Sequence, residues 1–341
     1  MSIGSRLWPR FWLITRPLVQ SEVRGRAAWL LALLLLLLLA VSTLNVINSY
    51  VGRDFMTAIS LRDADGFHLQ GWLYVGIFSL STVVAVFYRF TEERLGLLWR
   101  GWLTNHLAER FLTGDARARV EAIGDIDNPD QRIAEDVRTF TAMTLSLLLI
   151  LCNSSITLFA FCGVLWSITP WLFAAAVGYA AFGSLGTLFL GRPLVPLNIA
   201  QLKKEADLRY ELIRVREGND ERSEAALLGN RLDAVIDNMR RIILLNRNLG
   251  FFTTGYNYLI QLIPVVIVAP LYIRGQVEFG QVTQAAMAFA HVMGAFSLIV
   301  LEFGRISSFA AVITRVGALC EALDGAAAPA EEPARAEAPT P

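Results

Sequence analysis

From Thr139 to Gly191 the chain runs 53 residues without an Asp, Glu, Lys, Arg or His. A helix in water needs a polar face, and none survives this composition. The run is also too long for one passage through lipid, because about 20 apolar residues already span a hydrocarbon core of roughly 30 Å. It must double back, and Ser167-Ile168-Thr169-Pro170 supplies the reversal, proline being unable to continue the helix that precedes it. The feature implies a chain that crosses a bilayer several times.

Composition narrows the partners. The 341 residues are 55% hydrophobic, and 30 acidic residues balance 30 basic ones. A neutral chain has no basic excess with which to hold phosphates, which argues against a nucleic-acid partner. Lys203 and Lys204 are the only lysines, a skew toward arginine that fits a GC-rich genome. Cys152, Cys162 and Cys320 lack metal-ligand spacing and read as small buried hydrophobes; no metal site is expected.

Arg6, Arg10, Arg16, Arg24 and Arg26 precede the Leu-rich run Ala27–Val41. The apolar stretch continues to Gly52 and no small-x-small cleavage site closes it, so it reads as a retained anchor rather than a secretory signal. Leu7, Trp8, Phe11, Trp12 and Ile14 interleave with Arg6, Arg10 and Arg16. Residues 1–26 are therefore expected to lie in the headgroup region, rings toward lipid and guanidinium groups toward water. Residues 325–341, rich in Ala, Pro and Glu, are expected to be disordered.

Six apolar segments follow within residues 27–324. They are 27–52, 69–91 (uncharged over Leu69–Tyr88), 139–166, 171–191, 248–273 and 279–301, the last broken only by His291. Short polar stretches, Arg53–Phe67 and Arg274–Glu278, join the first to the second and the fifth to the sixth. Arg89–Arg138 and Arg192–Arg247 are long, charged and helical in pattern. The amino-terminal arginines place that end in the cytoplasm. Alternation then puts both termini and both long connections on the inner side of a bacterial inner membrane. About 20 additional helical residues would carry each connection roughly 30 Å beyond the lipid.

Asp127-Asn128-Pro129-Asp130-Gln131-Arg132-Ile133-Ala134-Glu135-Asp136 reads as a well-made helix start. Asn128 suits the cap, Pro129 the first helical position and Gln131 the reciprocal capping position, and Asp130 adds negative charge near the positive end of the dipole. The string nevertheless also resembles the loop between the second and third membrane helices of ABC transporters of the subfamily D type. Their bacterial peptide- and vitamin-transporting relatives belong with them, a group similar to the SbmA/BacA peptide transporters. Leu97–Leu112 resembles that family's Trp-rich extension of helix two, and Glu205–Glu221 its acidic-basic segment after helix four.

The resemblance covers roughly residues 5–324. It implies an all-α membrane protein with six transmembrane helices and long cytoplasmic extensions, the type 1 (type IV) ABC exporter transmembrane fold. It further implies a homodimer or heterodimer around a central cavity, with coupling helices near Gly124–Arg132 and Gly218–Gly229 docking on an ABC ATPase. The candidate coupling residues are Asp127, Asn128, Pro129, Asp130, Gln131, Glu135 and Asp136, then Glu205, Arg209, Glu217, Asn219 and Glu221. The same charges could simply solvate long helices. No Gly-x-x-x-x-Gly-Lys-Ser/Thr loop occurs, so the chain is expected to bind no cofactor itself, to be no enzyme, and to use ATP only through a partner.

Polar side chains inside apolar segments are expensive in lipid and should face protein or a watery cavity. The candidates for a cavity or proton path are Asn153, Asn257, Gln261, Gln284, His291 and Glu302. His291 titrates near physiological pH when unperturbed, and its small neighbours equally suit a histidine satisfied across a helix interface. The expected function is movement of an amphipathic solute (a peptide, a vitamin-like or an acyl compound), powered by a separate ATPase subunit. ATPase-free peptide uptake on a proton gradient is the alternative, and a membrane scaffold that transports nothing is a third.

Overall fold

The computed structural model describes residues 4–113, 128–217, 221–301 and 303–325. Among them the chain is helix after helix, with no strand. In order these are α1 Gly4–Gln20, α2 Arg24–Leu61, α3 Ala64–Leu112, α4 Pro129–Ile168 and α5 Pro170–Gly191. Then come α6 Leu194–Glu217, α7 Glu221–Ile273, α8 Phe279–Leu301 and α9 Phe303–Leu323. A helix satisfies its backbone amides internally, which is what a segment in hydrocarbon requires.

Helices α2, α3, α4, α7 and the run of α5 into α6 are long and apolar enough to cross a membrane. Helix α8, the sixth expected crossing, is 23 residues long and carries no Asp, Glu, Lys or Arg to turn toward water. Much of it faces protein instead, with Val282, Gln284, Ala285, Ala288, Phe289, Val292 and Met293 buried. Helices α3 and α7 have 49 and 53 residues. At 1.5 Å per residue they reach about 73 and 80 Å, more than twice the thickness of a hydrocarbon core.

The connections differ in detail from expectation. The reversal at Thr169-Pro170 is as read: α4 ends at Ile168 and Thr169 is extended before Pro170. The polar stretch Arg53–Phe67 is itself mostly helix, on both sides of a turn at Arg62-Asp63. Arg53 and Asp54 pair at 2.7 Å, so the charges there do not interrupt the helix. Pro264 and Pro270 stay inside α7, whereas Pro193 sits in the turn between α5 and α6.

The chain divides into two compact units, the first drawn from residues 1–55, 64–160 and 298–341, the second from 56–63 and 161–297. In the first unit, α1, α3, α4 and α9 close a core containing Ile14, Trp99, Leu103, Leu107, Val137, Phe140, Val316 and Leu319. Trp99, Leu103 and Leu107 recur every four residues and so share one face of α3. The Phe140 ring lies 5.8 Å from each of Phe11, Trp99 and Phe309. A second cluster, with Ala27, Leu34, Leu95, Leu145 and Leu149, joins α2, α3 and α4.

Helix α1 is docked as much as laid flat. Trp8 and Trp12 are exposed, but Ile14 is buried and Arg10 turns into the protein. Its Nε and Nη2 donate to the two carboxylate oxygens of Glu321 at 2.9 and 2.8 Å. This pairing raises the Arg10 pKa. Gly317 makes room, since a Cβ there would sit 2.8 Å from the Arg10 side chain. The expected arrangement, all rings toward lipid and all guanidinium groups toward water, is thus revised at Phe11 and Arg10.

In the second unit α5 turns small residues (Ala176, Ala180 and Gly183) toward its buried side. The Tyr179 and Tyr256 rings stack at 4.4 Å with parallel planes. Tyr179 donates its hydroxyl to the Tyr256 carbonyl at 2.8 Å, and Tyr256 returns the bond at 3.3 Å. Both phenols are satisfied without water, as an apolar setting demands. A Cβ on Gly183 would fall 2.4 Å from the Tyr256 ring.

Candidate functional site

The first candidate segment begins at Asn128, whose backbone is left-handed (φ 48°, ψ 66°), with Pro129 in the first helical position. Asparagine tolerates this conformation better than most residues. The expected capping box does not form. A capping side chain works from an extended backbone, and Asn128 makes no side-chain cap bond, while Gln131 donates to Glu135 at 3.4 Å. Asp127 lies outside the described residues.

One π-helical turn, Arg132–Asp136, follows. Its last residue, Asp136, is buried and is gripped by Arg315 of α9. Arg315 Nε donates at 2.7 Å and Nη2 at 2.6 Å, one to each carboxylate oxygen. This fork is the stronger class of ion pair and raises the Arg315 pKa. Arg132 also donates to the Arg315 carbonyl at 3.2 Å. Asp130, Gln131 and Glu135 are exposed. The segment therefore has one carboxylate fixed inward and several polar groups free to meet another surface.

The second candidate segment lies on α6. Glu205 and Arg209 are exposed, and Glu205 accepts from Gln201 at 2.9 Å. Buried Asn238 of α7 donates to the Gln201 side-chain oxygen at 2.9 Å and to the Leu197 carbonyl at 3.0 Å. Lys204 donates to the Ala234 carbonyl at 3.1 Å. Glu211, buried, lies 3.8 Å from Arg231. Asn219 lies outside the described residues, as do the side chains of Glu217 and Glu221. Sequence reading missed Arg315, Asn238 and Arg231. Their partners stand 179, 37 and 20 positions away, a separation that carries no local signal.

The polar candidates within apolar helices are divided between the two units. Asn153 is half-buried on α4 of the first unit. In the second unit Asn257 and Gln261 are exposed one turn apart on α7. Gln284 of α8 is buried, and its Nε2 has no hydrogen-bond partner among the described residues. His291 is exposed and stacks on Phe161 at 4.2 Å. Glu302 lies outside the described residues; Arg305, its expected neighbour, donates to Ser146 Oγ at 3.0 Å.

Comparison with known proteins agrees with this architecture. Residues 14–273 match the family model described as ABC transporter transmembrane region 2. Over 325 residues the chain is 39% identical to the chloroplastic ABC transporter D family member 2 of Arabidopsis thaliana, covering 93% of this chain and 46% of that protein. It is 38% identical over 314 residues to an uncharacterized ABC transporter ATP-binding protein of Synechocystis, covering 89% and 48%. A lysosomal cobalamin transporter of Homo sapiens is 25% identical over 330 residues, covering 92% and 54%. The chain spans about half the length of the curated relatives it matches. This all-α membrane chain, with its long helices and clamped polar segments, belongs to the ABC transporter transmembrane region 2 family.

Proposed function

We propose that the chain is the membrane-spanning part of an ABC transporter that moves an amphipathic solute across a bacterial inner membrane. Two such parts, alike or different, enclose the path, and an ABC ATPase drives them. Six passages leave both termini and the 128–136 and 205–221 segments on the cytoplasmic side. The observation that most supports this reading is the Asp136–Arg315 fork beside exposed Asp130, Gln131 and Glu135. A coupling element must transmit displacement, and a polar tip anchored to a packed bundle does so where a loose loop cannot.

The solute class is peptide, corrinoid-like or acyl. Exposed Asn257 and Gln261 in the uncharged stretch of α7 from Asn248 to Ile273 suit a cargo with both amide-bearing and apolar surface. The cobalamin in one relative's name falls within this class.

The test is purification of the tagged full chain from its native membranes after mild crosslinking, with solute uptake measured in membrane vesicles. An ABC ATPase should co-purify, and vanadate should stop transport. Asp130→Ala combined with Glu135→Ala should reduce ATPase recovery at least fivefold. Transport that survives ATP depletion and stops with a protonophore would overturn this reading in favour of proton-driven uptake.

A further inference from the structure

A groove of about 610 Å³ opens between α2 and α3 where their apolar stretches stop. Arg26 stands immediately before the apolar run that begins at Ala27, and Arg94 follows shortly after the run that ends at Tyr88. The two helices meet at this level, because Ala27 and Leu95 belong to one packed cluster. Both arginines line the groove, together with Trp29, Leu30, Leu97 and Leu98. Trp29 and Leu97 are 64% and 69% exposed.

The charge pattern separates this groove from its neighbour. The adjacent cavity of about 630 Å³, between α3 and α4, carries Arg89, Arg100 and Arg138 but also Glu92 and Glu93. There Arg89 reaches Glu93 at 3.6 Å, so part of the positive charge is answered internally. Among the described residues the α2–α3 groove has no acidic lining residue. Arg94 has an aromatic contact, 5.5 Å over Phe90, but neither Arg94 nor Arg26 has a carboxylate partner among the described residues. Two unanswered guanidinium groups thus stand above an exposed indole and a leucine floor.

The geometry points to a binding site for an anionic phospholipid, its phosphodiester held between Arg26 and Arg94 and an acyl chain lying along Trp29, Leu30 and Leu97. Guanidinium forks match phosphate oxygens, and indole rings settle at the boundary between headgroups and chains. Basic pockets between membrane helices recognise headgroups by this combination. A free phosphate would use the arginines and leave the apolar floor uncovered. A lipid uses both.

The full chain, released from membranes containing phosphatidylglycerol and phosphatidylcholine, would be weighed by native mass spectrometry. The wild type should keep phosphatidylglycerol under activation that strips phosphatidylcholine. Arg26→Gln with Arg94→Gln should lower that retention by about thirtyfold, from roughly fivefold per arginine at a lipid surface. Arg26→Lys with Arg94→Lys should restore only part of it, a point charge lacking the guanidinium fork, and Arg100→Gln with Arg138→Gln, in the other cavity, should leave it unchanged. Circular dichroism and melting of each variant separate lost binding from lost folding. Equal retention of both lipids, or full retention by the glutamine pair, overturns the proposal. Displacement of the lipid by millimolar inorganic phosphate does so too, by assigning the arginines to a soluble anion.

Discussion

In the first unit the ends of α3 and α4 meet α1 and α9 around aromatic and branched side chains, with ion pairs at the rim. In the second, α6 and α7 lie together around Gln201, Asn238 and Glu211, all buried and polar. The first arrangement fully buries large apolar side chains, Phe140, Leu103, Leu107 and Leu319 among them. The second leaves Leu232, Ile236, Met239 and Ile243 exposed at 38–58%, spaced four, three and four along α7. That is the seam spacing of helices that pack against another helix. A polar-centred pair with an apolar outer seam is built to be covered, and the second transmembrane subunit of the proposed dimer is the surface that would cover it.

The sharpest way to break this contrast is Phe140→Ala. The side chain is fully buried among three rings, so its loss should cost about 3–5 kcal/mol, read from denaturant or thermal unfolding in detergent. A change below about 1 kcal/mol would show that the bundle is not a true core. Asp136→Asn should come next: charge-assisted bonds contribute about 1.5–3 kcal/mol, and screening at Arg315, 46% exposed, puts the loss at the lower end of that range. Asn238→Ala strips Gln201 and the Leu197 carbonyl of their donor and should cost about 1–3 kcal/mol in the second unit.

Ile236→Ser with Met239→Ser sharpens the comparison from the other side. Folding stability should move by less than about 0.5 kcal/mol, as for exposed positions, while dimer recovered by crosslinking falls several-fold. Unchanged dimer would mean that the seam faces something else. The smallest effect is expected from pH at His106, stacked on Trp102 beside Arg110. Burial first, then Arg110, lowers its pKa in the fold. The unfolded chain therefore takes up its proton first as pH falls, and stability present above about 6.5 declines below it toward the lower folded value. His106→Gln should remove that slope.

Some elements could be read directly from residue order. The uncharged run Thr139–Gly191 required a membrane hairpin, and Thr169-Pro170 turns it where proline forbids continuation. The Trp-rich stretch Leu97–Leu112 is helix to its end, as its pattern implied. These are local properties: period, charge and backbone permission lie within a few residues of one another. The capping box at Asn128 misled for the same reason, a local rule outvoted by a left-handed backbone.

Residue order alone determined that the chain is apolar helix in lipid with charged helical extensions, because hydrophobic burial and hydrogen-bond satisfaction act on composition and spacing. Which charge answers which was decided only in three dimensions. Asp136 finds Arg315, Arg10 finds Glu321 and Asn238 finds Gln201 across long stretches of chain. Among the described residues Arg26 and Arg94 find no carboxylate beside their apolar groove. Pairing energies depend on distance in space and on the desolvation that packing imposes, and neither quantity exists until the helices have met.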